Sequence, residues 1–331
     1  MDLQRDLFGN GVPQLKQLDR DFLEQAVFEI FRDISFDDFV GMIVNEVDEC
    51  VEYYRLSRGE NSCQKTSLLF NPHRLKTKTR NDSRSMFSAL KDESFLKGLS
   101  RAIAFQYRDS NSSTKDLLYR TLRFGINGVG YANEFPPKVA RDLCIEYGVT
   151  RQSRVLDPCA GWGGRMLGTS VVTDCYECFE PSTETYIGLL RLSNWICRFS
   201  KDFRSVIHHL PFEDSSLEPE SYDFALTSPP YYDTEDYSDE ETNSKNRYGT
   251  FEEWCDGFYI PMIRKTMDAL KSGSVFVLNI GSRIYPLNEV LMSAFGDTYD
   301  IHRHKDMLGG NGGGLKNSSK EGEAFYVIRK P

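Results

Sequence analysis

The first hundred or so residues carry apolar side chains at the period of a helix. In "DRDFLEQAVFEIFRD", Phe22, Val27, Ile30 and Phe31 fall on one face, and "FDDFVGMIVNEVDECVEYYRL" keeps a similar spacing. More helix is expected in "SMFSALKDESFLKGLSRAIAFQYR". The polar stretch "DSNSSTKD", residues 109 to 116, interrupts the pattern and places a helical N-terminal region at 1–115 and a second domain at 116–331.

From about residue 135 short apolar runs alternate with helical stretches. "PPKVARDLCIEYG" reads as a helix opening on prolines, and "SRVLDP" as a strand running into "CAGWGGRML". "CYECFE", "SVIHHL", "YDFALT" and "SVFVLNIG" read as strands, with helices at "TYIGLLRLSNWICRF" and "FEEWCDGFYIPMIRKTMDALKSG". Strands separated by helices imply a parallel α/β sheet covered on both faces, with ligands at the carboxyl ends of its strands. Near the end, "HRHKDMLGGNGGGLKNSSKEGEAFYVIRK" reads as two strands joined by a glycine-rich loop, with His302, Arg303, His304 and Lys305 beside it.

Composition narrows the class. With 331 residues, 40% of them hydrophobic, the chain can bury a substantial core. It has no apolar run of membrane-spanning length, and "MDLQRDLFGNGVPQLKQLDRD" lacks a signal peptide's basic start and apolar centre. A soluble, cytoplasmic protein without membrane contact is expected. Eight scattered cysteines suit reduced thiols. Cys175 and Cys178 have the spacing of half a zinc site, but residues three apart in a strand point to opposite faces, so no metal is expected.

A net charge of −9, from 40 basic and 49 acidic residues, argues against gripping nucleic acid by overall charge. A local patch is the alternative. In "NPHRLKTKTRNDSRSMFSALK", His73, Arg74, Lys76, Lys78, Arg80 and Arg84 crowd together, as a nucleic-acid surface or as a solvated loop and helix face.

Candidate chemistry begins in "RVLDPCAGWGGRMLG", where glycines 161, 163 and 164 follow a strand and open a helix, letting backbone approach a ligand. The nicotinamide fingerprint fails at its third glycine, where Met166 stands. Asp157 at the strand end suits a positively charged ligand rather than a pyrophosphate. Glu180, ending the next strand, is placed to accept hydrogen bonds from ribose hydroxyls, or to cap a helix. In "LPFEDSS", Phe212 and Glu213 border an adenine ring, or Phe212 joins the core. Taken in chain order these residues outline an adenosine pocket.

The stretch "LTSPPYYDTEDY" ends a buried-looking strand on two prolines, which fix φ and offer no N–H donors, so a rigid turn presents its carbonyls outward. Ser228-Pro229-Pro230-Tyr231 resembles the catalytic loop of the amino-methyltransferases, which methylate exocyclic amino groups with S-adenosylmethionine and carry Asp, Asn or Ser, then Pro-Pro, then an aromatic residue. The resemblance runs from about residue 120 to residue 331.

It implies a seven-strand Rossmann-like class I methyltransferase sheet, with Asp157, Cys159, Gly161, Gly163, Glu180, Phe212 and Glu213 around the cofactor. Asp157 would lie near the sulfonium and methionine end and Glu180 at the ribose. In "GYANEFPPKVARDLCIEYG", Phe135 and Pro136 match the segment that borders the methionine part, though Phe135 also suits a helix-start staple. Cytosine C5 chemistry is set aside, because Pro158-Cys159 lies in the glycine loop rather than after the fourth strand.

An aromatic amine is a poor nucleophile because its lone pair is delocalised. Acceptors at the Ser228 hydroxyl and Pro229 carbonyl would draw that lone pair toward the methyl donor, while Tyr231 stacks on a flipped base. In the families it resembles, Ser at this position is associated most often with N4-cytosine and also with N6-adenine methylation, so the resemblance implies DNA. RNA guanine-N2, a protein amide, or an idle binding subunit of the same fold remain alternatives. Sequence reading would fall to the N-terminal region. The acidic "DTEDYSDEETNSKNRYGTFEEW" is expected to be a solvated loop that orders on binding, or a surface for a protein partner.

Overall fold

A computed structural model describes residues 19–44, 48–79, 84–109, 114–122, 129–130, 132–281, 284–304 and 323–331. The N-terminal half holds α1 (Arg20–Arg32), α2 (Phe36–Val44), α3 (Glu49–Ser57), α4 (Glu93–Asp109) and α5 (Thr114–Arg120). Two compact units are formed, one from residues 1–47 and 72–133 and the other from 48–71 and 134–331. The chain passes between the units at 47/48, 71/72 and 133/134, and α3 belongs to the second unit. The physical reason is visible at Tyr53, which bonds Ser170 Oγ at 3.0 Å and meets the Trp195 ring edge-on at 5.7 Å.

In the first unit, α1 packs against α4. Its buried face is Leu23, Val27, Phe28 and Phe31, whereas Phe22 is exposed and Ile30 only half-buried. The helical period was legible, but the stripe lies rotated from the expected one. α4 answers with Leu96, Leu99 and Ile103.

In the second unit, α6 (Pro137–Glu146) leads to β1 (Arg154–Asp157), α7 (Gly164–Ser170), β2 (Cys175–Phe179), α8 (Thr183–Ile196), β3 (Arg204–His208) and β4 (Tyr222–Thr227). After α9 (Ile260–Ala269) come β5 (Leu270–Gly281), α10 (Leu287–Phe295), β6 (Asp300–Arg303) and β7 (Glu323–Arg329). The sheet has seven strands in the order β3-β2-β1-β4-β5-β7-β6. β7 alone runs against its neighbours β5 and β6. This is the seven-strand Rossmann-like α/β sheet that was expected, including the closing hairpin of β6 and β7; its glycine-rich connection, with Lys305, lies outside the described residues.

Both faces of the sheet are covered. Val155, Phe224, Leu226, Val275, Val277 and Phe325 point into one core with Leu143, Leu189, Leu192 and Trp195. Leu156, Ala225, Phe276 and Leu278 point into the other, with Met262, Ile263, Leu291 and Trp254. That is why β4 and the second half of β5 read as nearly continuous apolar runs. The long helix expected over 251–273 is found over 251–269, as one α-helical turn Phe251–Trp254, a π-helical segment Cys255–Tyr259, and α9. Pro261 lacks the N–H that a continuous helix needs, so the ladder widens in front of it.

No helix among the described residues is long and apolar enough to cross a membrane.

Gly188 tests the packing of α8. A Cβ there would meet Asn71 Oδ1 at 1.9 Å and the Phe70 carbonyl at 2.7 Å. Gly188→Ala is expected to destabilise by about 1–3 kcal/mol in thermal or denaturant unfolding, although helix propensity alone favours alanine by about 1 kcal/mol.

Candidate active site

The carboxyl ends of β1 and β4 adjoin where the strand order reverses, the usual binding crevice of such sheets. β1 ends in Asp157, which is wholly buried. Its Oδ2 accepts from Arg165 Nε at 2.7 Å and from the Tyr176 hydroxyl at 2.6 Å. Its Oδ1 accepts from the Thr227 hydroxyl at 2.7 Å and the Cys159 N–H at 3.2 Å. With four donors on two oxygens, this carboxylate is occupied by the fold, which corrects the expectation that it lies against a ligand's positive charge. Arg165 also donates to the Cys159 carbonyl. Burial alone would lower the Arg165 guanidinium, but the Asp157 carboxylate and the Tyr176 oxygen hold it above its ordinary value.

The glycine loop is thus clamped at its start. Gly161 takes φ +56° with open space where a Cβ would point, so backbone there is available to a ligand. Gly163, at φ +95°, has a different reason: a Cβ would sit 2.3 Å from Leu192 Cδ2 of α8. Cys159 acts through its backbone, and burial, then Asp157, pushes its thiol well above the ordinary range.

Glu180 follows β2, buried, with Oε1 accepting from the Ser182 N–H at 2.9 Å. Burial pushes its carboxyl up to about 8, against hydrogen bonds from the Ser182 and Gly161 N–H groups. It thus ties the segment before α8 to the glycine loop.

Phe212 is a core residue, packed edge-on against Phe179 at 4.9 Å, so the core alternative holds. Glu213 beside it bonds Arg247 through Oε1 at 2.9 Å, while its buried Oε2 has no hydrogen-bond partner among the described residues. Phe135 is half-buried, 5.8 Å from the Phe325 ring and with the Arg165 guanidinium 5.2 Å from its centroid.

Ser228-Pro229-Pro230-Tyr231 leaves β4 directly after Thr227, whose hydroxyl bonds Asp157 and also accepts from the Cys159 N–H at 3.2 Å. The proline loop and the glycine loop therefore share one node. Tyr231 lies against Gly281, and its hydroxyl is 3.2 Å from Ser228 Oγ and 2.9 Å from Glu323 Oε1. Asn279 Nδ2 reaches Glu323 Oε1 at 2.8 Å and Ser228 Oγ at 3.4 Å. Tyr232 turns the chain at φ +56° and bonds the Gly249 carbonyl at 3.0 Å.

The acidic segment that follows is folded rather than a solvated loop. Glu240 accepts from the Thr183 N–H at 2.9 Å at the start of α8, and Arg247 pairs with Glu213 and Asp214. Tyr237 packs on Trp162 of the glycine loop at 5.4 Å and donates to Glu235, whose carboxyl burial pushes up to about 7.

Only part of the proposed basic patch is exposed among the described residues. Arg74 is buried, and Arg84 pairs with Asp92 at 2.5 Å; Arg80 lies outside the described residues. Lys76 and Lys78 are exposed, with Lys76 over the Phe36 ring at 4.0 Å.

Arg165, Thr227 and Asn279 were missed, yet each is a polar residue inside an apolar or glycine-rich run, "GGRML", "YDFALT" and "VLNIG". That mismatch was the available signal. Glu323 gives none, being distant in sequence.

No family model and no curated protein matches the chain. Solved structures do. A tRNA methyltransferase from Aquifex aeolicus aligns at 13% identity over 64% of this chain and 75% of its own, with a TM-score of 0.40. An rRNA methylase from Streptococcus thermophilus aligns at 12% over 60% and 97%, TM-score 0.38. A methyltransferase from Pyrococcus furiosus aligns at 16% over 64% and 93%, TM-score 0.41. Likeness at this level transfers neither substrate nor partner.

Removing the Asp157 carboxylate leaves the Arg165 charge buried and unpaired. Asp157→Ala is expected to lower the unfolding free energy by about 3–5 kcal/mol, read from denaturant midpoints.

Proposed function

We propose that the chain is an S-adenosylmethionine-dependent amino-methyltransferase whose acceptor is the exocyclic amine of a DNA base, adenine N6 or cytosine N4. The observation that carries this reading is the shared node: Thr227 bonds the glycine loop through Asp157 and Cys159, and the next residue, Ser228, opens the Ser-Pro-Pro-Tyr loop.

The residues fit the cofactor. Gly161 lets backbone come close, Glu180 would accept the ribose hydroxyls, and the unpartnered Glu213 Oε2 would accept from the adenine amine. Phe135 would border the methionine part. Asp157, Cys159 and Gly163 would hold the loop in shape, with Phe212 behind it in the core. When bound, S-adenosylmethionine supplies an electrophilic methyl group, which passes to nitrogen as the carbon–sulfur bonding pair returns to sulfur.

The chain's part is positioning and preorganised electrostatics. The Ser228 oxygen and the Pro229 carbonyl accept the two N–H bonds of the amine, drawing its lone pair out of conjugation. The rigidity of Pro229-Pro230 fixes both acceptors before the substrate arrives. Methyl transfer leaves the nitrogen cationic, and its surplus proton would then pass to solvent water. The Tyr231 ring, anchored by its hydroxyl, can offer a face to the substrate ring.

A second reading, a protein amide as the acceptor, is favoured by the loss of Arg74 and Arg84 from the basic patch and by the net charge of −9, whereas RNA, with the same charged backbone as DNA, gains nothing from either. Both give a phosphate backbone little to bind. Supplying labelled S-adenosylmethionine with unmodified DNA, RNA and protein in parallel, then digesting and weighing the products, separates the readings. N6-methyladenine or N4-methylcytosine from DNA is expected, reduced about 100-fold by Ser228→Ala. Product only from RNA or protein would move the acceptor, and cofactor binding without any product would mark an idle subunit.

A further inference from the structure

Resting on the amino-methyltransferase reading, we infer that Glu323 and Tyr231 are positioning residues that make the Ser228 hydroxyl an obligate hydrogen-bond acceptor for the substrate amine. A loop beginning with Asp or Asn brings an acceptor oxygen of its own. A serine hydroxyl can also donate, and a proton donated to the amine would occupy the lone pair that must attack. The Ser228 proton therefore has to point elsewhere.

The geometry supplies that direction. A tyrosine hydroxyl has one proton, and an ionised carboxylate only accepts. Tyr231 Oη lies 2.9 Å from Glu323 Oε1 and 3.2 Å from Ser228 Oγ, so its proton goes to the charged and nearer partner. Burial, then the Glu323 charge, pushes the Tyr231 hydroxyl well above its ordinary range, so it stays protonated. Its oxygen can then only accept from Ser228.

Asn279 closes the arrangement. Its amide nitrogen lies 2.8 Å from Glu323 Oε1 and 3.4 Å from Ser228 Oγ. The flipped amide would set a carbonyl oxygen against the Glu323 carboxylate, so the nitrogen belongs there. Ser228 Oγ thus gives its proton to Tyr231, takes one bond from Asn279, and keeps one lone pair for the substrate. Glu323 stands on β7 opposite Gly281, and Asn279 on β5 opposite Phe325, so the relay spans two rungs of the β5–β7 pairing, two residues apart.

The test is a pair of single variants in two backgrounds. With Ser228 in place, Tyr231→Phe and Glu323→Gln are each expected to lower kcat about tenfold, with binding of S-adenosylhomocysteine unchanged. In a Ser228→Asn background, whose carbonyl needs no orienting, both losses shrink to less than about twofold. Losses that carry over undiminished, or no loss beside Ser228, would overturn the relay.

A second readout needs no turnover. The Tyr231 hydroxyl proton resonance, identified by its loss in Tyr231→Phe, is expected to move in both Glu323→Gln and Ser228→Ala; a signal unmoved by either contradicts the relay. A signal that moves as stated, with no acceptor methylated, leaves the relay standing and removes the amino-methyltransferase reading.

Discussion

One buried carboxylate, Asp157, holds the candidate site together. It takes donors from β2 through Tyr176, from β4 through Thr227, from α7 through Arg165, and from its own loop through Cys159. A buried charge is tolerated only when paired and fully hydrogen-bonded, and here each oxygen has two partners. The consequence reaches beyond stability. Because the partners come from the two strands that flank β1 and from the helix after the loop, the three strands cannot drift apart, and the loops they launch inherit a fixed spacing.

On the proposed reading, that spacing would join a place for a cofactor to a place for chemistry. On one side Gly161 opens backbone to a ligand, with Glu180 and the unpartnered oxygen of Glu213 as acceptors. On the other, Ser228 stands next to Thr227 in the chain. The proline pair makes the second loop stiff, and the hydroxyls of Tyr231 and Ser228 with the amide of Asn279 tie it to β5 and β7. The segment after it folds back, with Tyr237 on Trp162 and Glu240 at the start of α8. Acidic side chains that looked like solvated charge are the caps and ion pairs of this return path.

Much of the fold was legible because several strands of the second unit are short apolar runs bounded by turn residues, and YDFALT even gave its own ends correctly. The loops were legible because Gly-Trp-Gly-Gly and Ser-Pro-Pro-Tyr are local features. The roles of individual residues were less so. Asp157 and Phe212 were expected at the ligand, yet one is saturated by partners up to seventy residues away and the other is sealed against Phe179. Burial and long-range pairing cannot be read from a side chain's type. The same limit thinned the basic cluster: Arg74 and Arg84 look like surface charge in sequence, but one is buried and the other is paired to Asp92.

The central claim is that these two loops form one adenosine-cofactor site. Calorimetric titration of the full chain with S-adenosylhomocysteine across a pH series tests it most directly. Burial pushes the Glu180 carboxyl up to about 8, and two ribose hydroxyls donating to it would favour its ionised form. One site per chain is predicted, with affinity rising from about pH 6 to about pH 8 and flat above, and with that rise absent in Glu180→Gln. No binding at any pH, or a pH dependence that survives Glu180→Gln, would contradict the account.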